Sequence, residues 1–213
     1  MTWLLFPLLI SLILFICIAT LFGEGIWSNA ILLVNVVTAA LLATNFFEPM
    51  AQWLESQSPS GSYLWDFLSL WGLFALFLAV MRMLTDHVSR VKVRFKMAAD
   101  YIGGGFFALW IGCVMVCFTM MTLHTAPLCR NFLYQGFQPE QRMIMGLAPD
   151  RKWLGFVQKM SRYNFCRSAA PEEVLERKYV FDRDFEFMHK YATRRTGLAD
   201  FVSKNNTVIV STR

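Results

Sequence analysis

Residues 100–123 read DYIGGGFFALWIGCVMVCFTMMTL. The twenty-three residues after Asp100 carry no charge, and about 20 apolar residues are what an α-helix needs to cross a hydrocarbon core of roughly 30 Å. Asp100, Gly104, Ala108 and Gly112 recur at intervals of four, which lays an acid and three small residues along one ridge of that helix. Small residues on a ridge let another helix approach closely inside a membrane, and an acid at the N-terminus complements the helix dipole. The same ridge admits a functional reading, with Asp100 at the membrane edge binding a cation or relaying protons. Gly103-Gly104-Gly105 is expected to loosen the first turns, since each glycine lowers helix propensity by up to about 1 kcal/mol.

Three further apolar runs precede this one, at about residues 3–22, 26–47 and 63–84. The first lacks a positive flank and a cleavage site of small residues, so it is expected to stay as a span and not to be removed as a signal peptide. The second is closed by Glu48-Pro49 and is the least greasy. Its Asn35, Thr38 and Asn45 place polar groups inside the bundle, where they either join helices or line a polar path. The stretch from Gln52 to Ser62 reads as an exposed loop. The fold expected is an all-α membrane protein: residues 1–125 form four transmembrane helices in an up-down bundle, and residues 126–213 form a partly helical, partly disordered extramembrane tail.

Charge distribution sets the orientation. Residues 1–81 contain no Lys or Arg, and all twenty basic residues follow Met81. Arg82, Arg90, Lys92, Arg94 and Lys96 cluster between the third and fourth runs, which by the positive-inside rule puts loop 85–100 in the cytoplasm and the N-terminus and tail in the periplasm. The net charge of +5 therefore records membrane orientation and surface contact and not nucleic-acid binding. In the tail, Trp153, Phe156, Val157, Met160 and Tyr163 recur at helical spacing and predict a short amphipathic helix, docked either on the membrane surface or on the rest of the tail. Beyond Pro171, Glu172 to Arg195 reads as partly helical and Asn205 to Arg213 as a loose extended end.

Signals of chemistry are sparse. The five Cys and three His show no metal-ligand spacing, no Ser/His or His-Glu-x-x-His arrangement occurs, and neither a catalytic residue nor a cofactor is assigned. Cys17, Cys113 and Cys117 read as small hydrophobes. Cys129 and Cys166 are the only tail cysteines, and in an oxidising periplasm they are candidates for a disulfide.

The ridge Asp100-x-x-x-Gly104-x-x-x-Ala108-x-x-x-Gly112, following a short basic loop, resembles the pattern of the colicin V production protein (CvpA) family of bacterial inner-membrane proteins. The likeness extends over roughly Thr2 to Thr125 and includes the exit Phe47-Glu48-Pro49-Met50-Ala51-Gln52-Trp53-Leu54. Where that family often carries an Arg-Gly-x-x-Arg-Glu turn, this chain has Gly23-Glu24-Gly25-Ile26-Trp27. The resemblance implies a non-enzymatic protein of the inner membrane that acts in toxin production or export and in envelope homeostasis. Its partners would be the lipid bilayer, envelope or export proteins, and further copies of itself. An alternative is a small-molecule or ion channel or transporter, formed by oligomerisation through the small-residue face.

Overall fold

A computed structural model of the chain describes residues 5–89, 97–128, 147–162, 180–182 and 184–211. Among the described residues six α-helices follow one another: α1 (Leu5–Leu21), α2 (Gly25–Gln57), α3 (Ser62–Val88), α4 (Met97–Thr125), α5 (Pro149–Ser161) and α6 (Phe187–Ser211). A single 3-10 turn, Pro59–Gly61, joins α2 to α3. Among the described residues there is no strand. Helices α2, α3 and α4 are each long and apolar enough to cross a membrane, whereas α1, with 17 residues, is a shorter apolar helix. Leu8, Phe15, Val34, Leu76, Phe106 and Trp110 are all exposed. A belt of that size is what lipid covers, since soluble monomers rarely leave large contiguous apolar patches in water.

Helices α2, α3 and α4 outrun their apolar runs, and α2 does so most. It continues through Pro49 to Gln57, so residues 52–57, expected to be loop, are helical. At about 1.5 Å per residue its 33 residues rise roughly 50 Å, well beyond a hydrocarbon core of roughly 30 Å. Pro49 removes one helical hydrogen bond, but packing on both sides of it holds the helix. Phe47 and Ala51 are buried, and the Phe47 ring meets Phe187 of α6 edge-on at 6.4 Å.

The tail packs on the bundle. Trp153, Leu154 and Val157 of α5, with Phe181, Phe187 and Tyr191, share one core with Phe47, Leu70, Phe74 and Phe118 of the membrane helices. The amphipathic helix predicted from its spacing is α5, and its apolar face meets α4 and the far part of α2, neither the membrane surface nor the tail alone. Residues 205–211, read as an extended end, continue α6. Extending an existing helix by one residue fixes few new dihedrals per hydrogen bond gained, which offsets the poor propensity of Asn, Thr, Val and Ile there. The basic residues Arg90, Lys92, Arg94 and Lys96 and the pair Cys129 and Cys166 lie outside the described residues.

Candidate functional site

Polar side chains gather at the two ends of the helices. At one end the α1–α2 turn lies on the start of α4. Gly25 has φ +82°, a left-handed conformation that glycine adopts without a Cβ penalty. Asp100 does not cap its own helix. Its Oδ1 accepts a hydrogen bond of 2.9 Å from the Ile26 backbone N–H, so the carboxylate caps the first turn of α2. A Cβ on Gly104 would sit 3.3 Å from the Gly25 backbone, and one on Gly103 or Gly105 would meet Ile26 at 2.4 Å or Phe22 at 3.0 Å. The three glycines therefore admit a neighbour, and the loosening expected of them gives way to close packing. Asn29, fully buried, donates from Nδ2 to the Leu21 carbonyl at 2.8 Å and to the Gly104 carbonyl at 3.0 Å, tying all three helices together. Farther along the ridge Ala108 is buried, and a Cβ on Gly112 would meet Leu14 of α1 at 2.9 Å. The ridge Asp100, Gly104, Ala108, Gly112 is thus occupied by the chain's own α1 and α2.

Beside this joint a cleft of ≈ 280 Å³ opens between α1, α2 and the end of α3. Its lining includes Glu24, Ser28, Asn35, Arg82, Thr85 and Asp86. Asn35 is buried and donates to Thr85 Oγ1 at 2.9 Å. Trp27 Nε1 donates to Ser89 Oγ at 3.0 Å, and Ser28 Oγ to Glu24 Oε2 at 3.3 Å. Arg82 and Asp86 form a loose ion pair at 3.9 Å, both largely exposed. Of the polar trio in α2, Asn35 reaches this cleft, Thr38 is half-buried, and Asn45 is buried farther along the helix.

The opposite end is closed by the tail, through residues that spacing gave no reason to connect. His124, in the last turn of α4, lies between Asp150 and Arg195. Its Nε2 is 3.1 Å from Asp150 Oδ2 and its Nδ1 is 3.0 Å from an Arg195 terminal nitrogen. All three residues are buried. Burial pulls the Arg195 guanidinium down to about 10, which leaves it charged at neutral pH. A guanidinium only donates, so Nδ1 of His124 accepts, and the ring's proton resides on Nε2, aimed at Asp150. Arg194 pairs with Asp66 of α3 and donates to the Ser62 carbonyl, and Lys190 reaches Glu48 at 2.9 Å. Burial, reinforced by the Asp66 carboxylate, pushes the Tyr191 phenol far above its ordinary value, so it stays neutral. Trp153 Nε1 donates to Thr44 Oγ1 at 3.2 Å.

Beside His124 lies a cavity of only ≈ 10 Å³, about enough for one water. A His–Asp pair can orient a general base, and this one is clamped between Asp150 and Arg195. Among the described residues no group of His, Cys, Asp and Glu has the makings of a metal site. A faint signal for the tail end does exist in the sequence. Pro149-Asp150 opens the amphipathic α5 with a proline at its first position and an acid in its first turn, both N-terminal marks, but nothing local names His124 or Arg195 as its neighbours.

A protein-family model described as colicin V production protein matches residues 6–136. No curated protein and no solved structure matches the chain at a significant level.

Proposed function

This chain belongs to the colicin V production protein family, and from that premise we propose that it is a non-enzymatic, multi-pass protein of the bacterial inner membrane that serves colicin V production or export and the integrity of the envelope. The observation carrying this reading is the extent of the match, which runs from within α1 to beyond the end of α4 and so takes in all the apolar helices. The clamped His124 and its water-sized cavity favour a role without catalysis. In this reading α1 completes a four-span, up-down bundle, loop 85–100 is cytoplasmic, and the N-terminus and tail face the periplasm, in keeping with the basic residues between α3 and α4.

Deleting the gene in a host that carries colicin V tests the proposal. Secreted toxin activity should fall and sensitivity to detergents and bile salts should rise, both restored by the intact gene. A deletion strain that matched its parent in both respects would refute it. A second reading, a small-molecule or ion channel or transporter, is favoured by the charged cleft beside the α1–α2 turn. Oligomerisation for such a pore would have to use a surface other than the ridge of α4, which α1 and α2 occupy. Ion flux through the protein in reconstituted vesicles distinguishes it from the first reading.

A further inference from the structure

We propose that the cleft between α1, α2 and the end of α3 binds a phosphoethanolamine group, supplied by a phospholipid of the adjoining leaflet. Its chemistry carries charge of both signs at one mouth. Glu24 and Asp86 are acids, and among the described residues of the lining Arg82 is the one cation. Two carboxylates beside a guanidinium suit neither a simple anion, which the acids repel, nor a divalent cation, which Arg82 repels. They suit a zwitterion, with its phosphate on the Arg82 fork and its ammonium near the acids. Arginine matches phosphate oxygens with two parallel donors. Among the described residues its side chain is engaged only by the loose contact to Asp86 at 3.9 Å, so its terminal nitrogens are available.

Position in the fold selects the lipid as the source. The cleft lies where α1 ends and α3 comes within two turns of its own end, the depth at which apolar helix gives way to polar turn. Trp27 is held there by its hydrogen bond to Ser89, and indole rings favour the headgroup level of a bilayer. Leu21, Ile31 and Leu32 line the cleft with apolar surface, and Ile16 of α1 and Leu84 and Val88 of α3, all exposed, belong to the same helices and offer further surface on which acyl chains can lie. Its volume of ≈ 280 Å³ is close to the lower end of ligand pockets, about 300 Å³, as befits a headgroup with its chains left outside. The inference does not depend on which cellular process the protein serves.

The test is retention of dioleoyl lipids by the purified full-length chain in native mass spectrometry. Phosphatidylethanolamine should be retained over phosphatidylglycerol, which has the phosphate but no ammonium. Arg82→Gln should weaken that retention about tenfold or more, the loss that accompanies one charge-assisted hydrogen bond. Lys159→Gln, on α5 at the far end, should leave it unchanged. Glu24→Gln with Asp86→Asn should swing the preference toward phosphatidylglycerol, and this protein carries the test if Arg82→Gln does not accumulate. Soluble phosphoethanolamine in millimolar excess should fail to displace the lipid; displacement would overturn the lipid as source while keeping the headgroup chemistry. Equal retention of the two lipids by the unmodified chain, or a preference untouched by removing the acids, would overturn the site.

Discussion

The two ends of the helical bundle are closed by opposite means. At the α1–α2 turn, closure comes from absent side chains. Gly103, Gly104 and Gly105 let Ile26, Gly25 and Phe22 lie on α4, and one carboxylate, Asp100, caps the neighbouring helix. At the tail end, closure comes from large and charged side chains: Trp153, Phe187 and Tyr191 in the core, with the His124–Asp150–Arg195 cluster and the Asp66–Arg194 pair beside them. Close backbone packing serves inside a membrane, where burying apolar surface gains little over lipid. At the far ends of α2 and α4 the tail's rings pack into a shared core, and a side chain buried there from water contributes about 1.5–3 kcal/mol. The contrast implies that the first end should be sensitive to added volume and the second to lost charge.

The largest effect is expected at the tail end. Asp150→Ala removes the carboxylate facing His124 Nε2 and breaks the buried chain Asp150–His124–Arg195 at its acid. Breaking a buried ionic cluster by deleting one partner typically costs about 3–5 kcal/mol. In detergent the variant should show a protease-sensitive tail and red-shifted Trp153 emission while α2 to α4 remain helical. A tail as protected as in the parent would mean that the aromatic core alone holds it. At the other end Gly104→Ile forces a branched side chain against the Gly25 backbone, an overpacking worth about 1–3 kcal/mol. Its control is Gly72→Ile, on exposed helix with nothing within 4 Å of the added Cβ. Equal amounts of folded protein in membranes for the two variants would break the comparison on this side.

The same contrast explains what the sequence could and could not convey. The four-residue spacing of Asp100, Gly104, Ala108 and Gly112 is local, so the ridge was legible before any fold was known. Its occupant was not, because Ile26 lies 74 residues from Asp100 and the position suggested only a complement to the dipole of α4 itself. The tail end was harder still. His124 and Arg195 are 71 residues apart, and Asp66 and Arg194 are 128 apart. Nothing in the tail's charges pointed to burial, since buried arginine is rare. The period of α5 predicted a helix with an apolar face, and only the folded chain shows that this face covers α4, through Phe118, and α2, through Thr44. The cleft draws on α1, α2 and α3, and no single stretch contains enough of it to be recognised.

A smaller effect sharpens how the tail is held. Trp153→Phe keeps most of the ring's packing against Phe118, at 5.8 Å between centroids, and loses the hydrogen bond to Thr44 Oγ1. Thr44 still donates to the Ala40 carbonyl at 2.7 Å, so no buried donor is stranded, and the loss should be about 1 kcal/mol. Thermal unfolding of the two proteins in the same detergent measures it. A loss as large as that of Asp150→Ala would mean that this bond, and not the ionic cluster, dominates docking.

The smallest effect is a pH dependence within the tail. Asp182 stands between α5 and α6. Its carbonyl accepts from Gln158 Nε2 at 2.9 Å, and its carboxylate accepts from the Phe187 backbone N–H at 3.0 Å. Burial raises its pKa above the ordinary carboxylate value, against the lowering effect of the hydrogen bonds from Phe187 and Glu186. A carboxyl whose folded pKa is raised holds its proton more tightly in the docked state. Its contribution is therefore fully present below the unfolded value of about 3.9 and is lost as pH rises through the folded value. Other acids titrate in the same range, so the quantity to follow is the difference between the parent and Asp182→Asn, which retains an acceptor for the Phe187 N–H and tolerates the positive φ of 46° at this position. Relative to the variant, the parent's tail should lose protease protection as pH rises from about 4 and become level once Asp182 is ionised. A difference that is flat, or that moves in the parent's favour over this range, would mean that the hydrogen bonds outweigh burial and that Asp182 acts as an ordinary cap of α6.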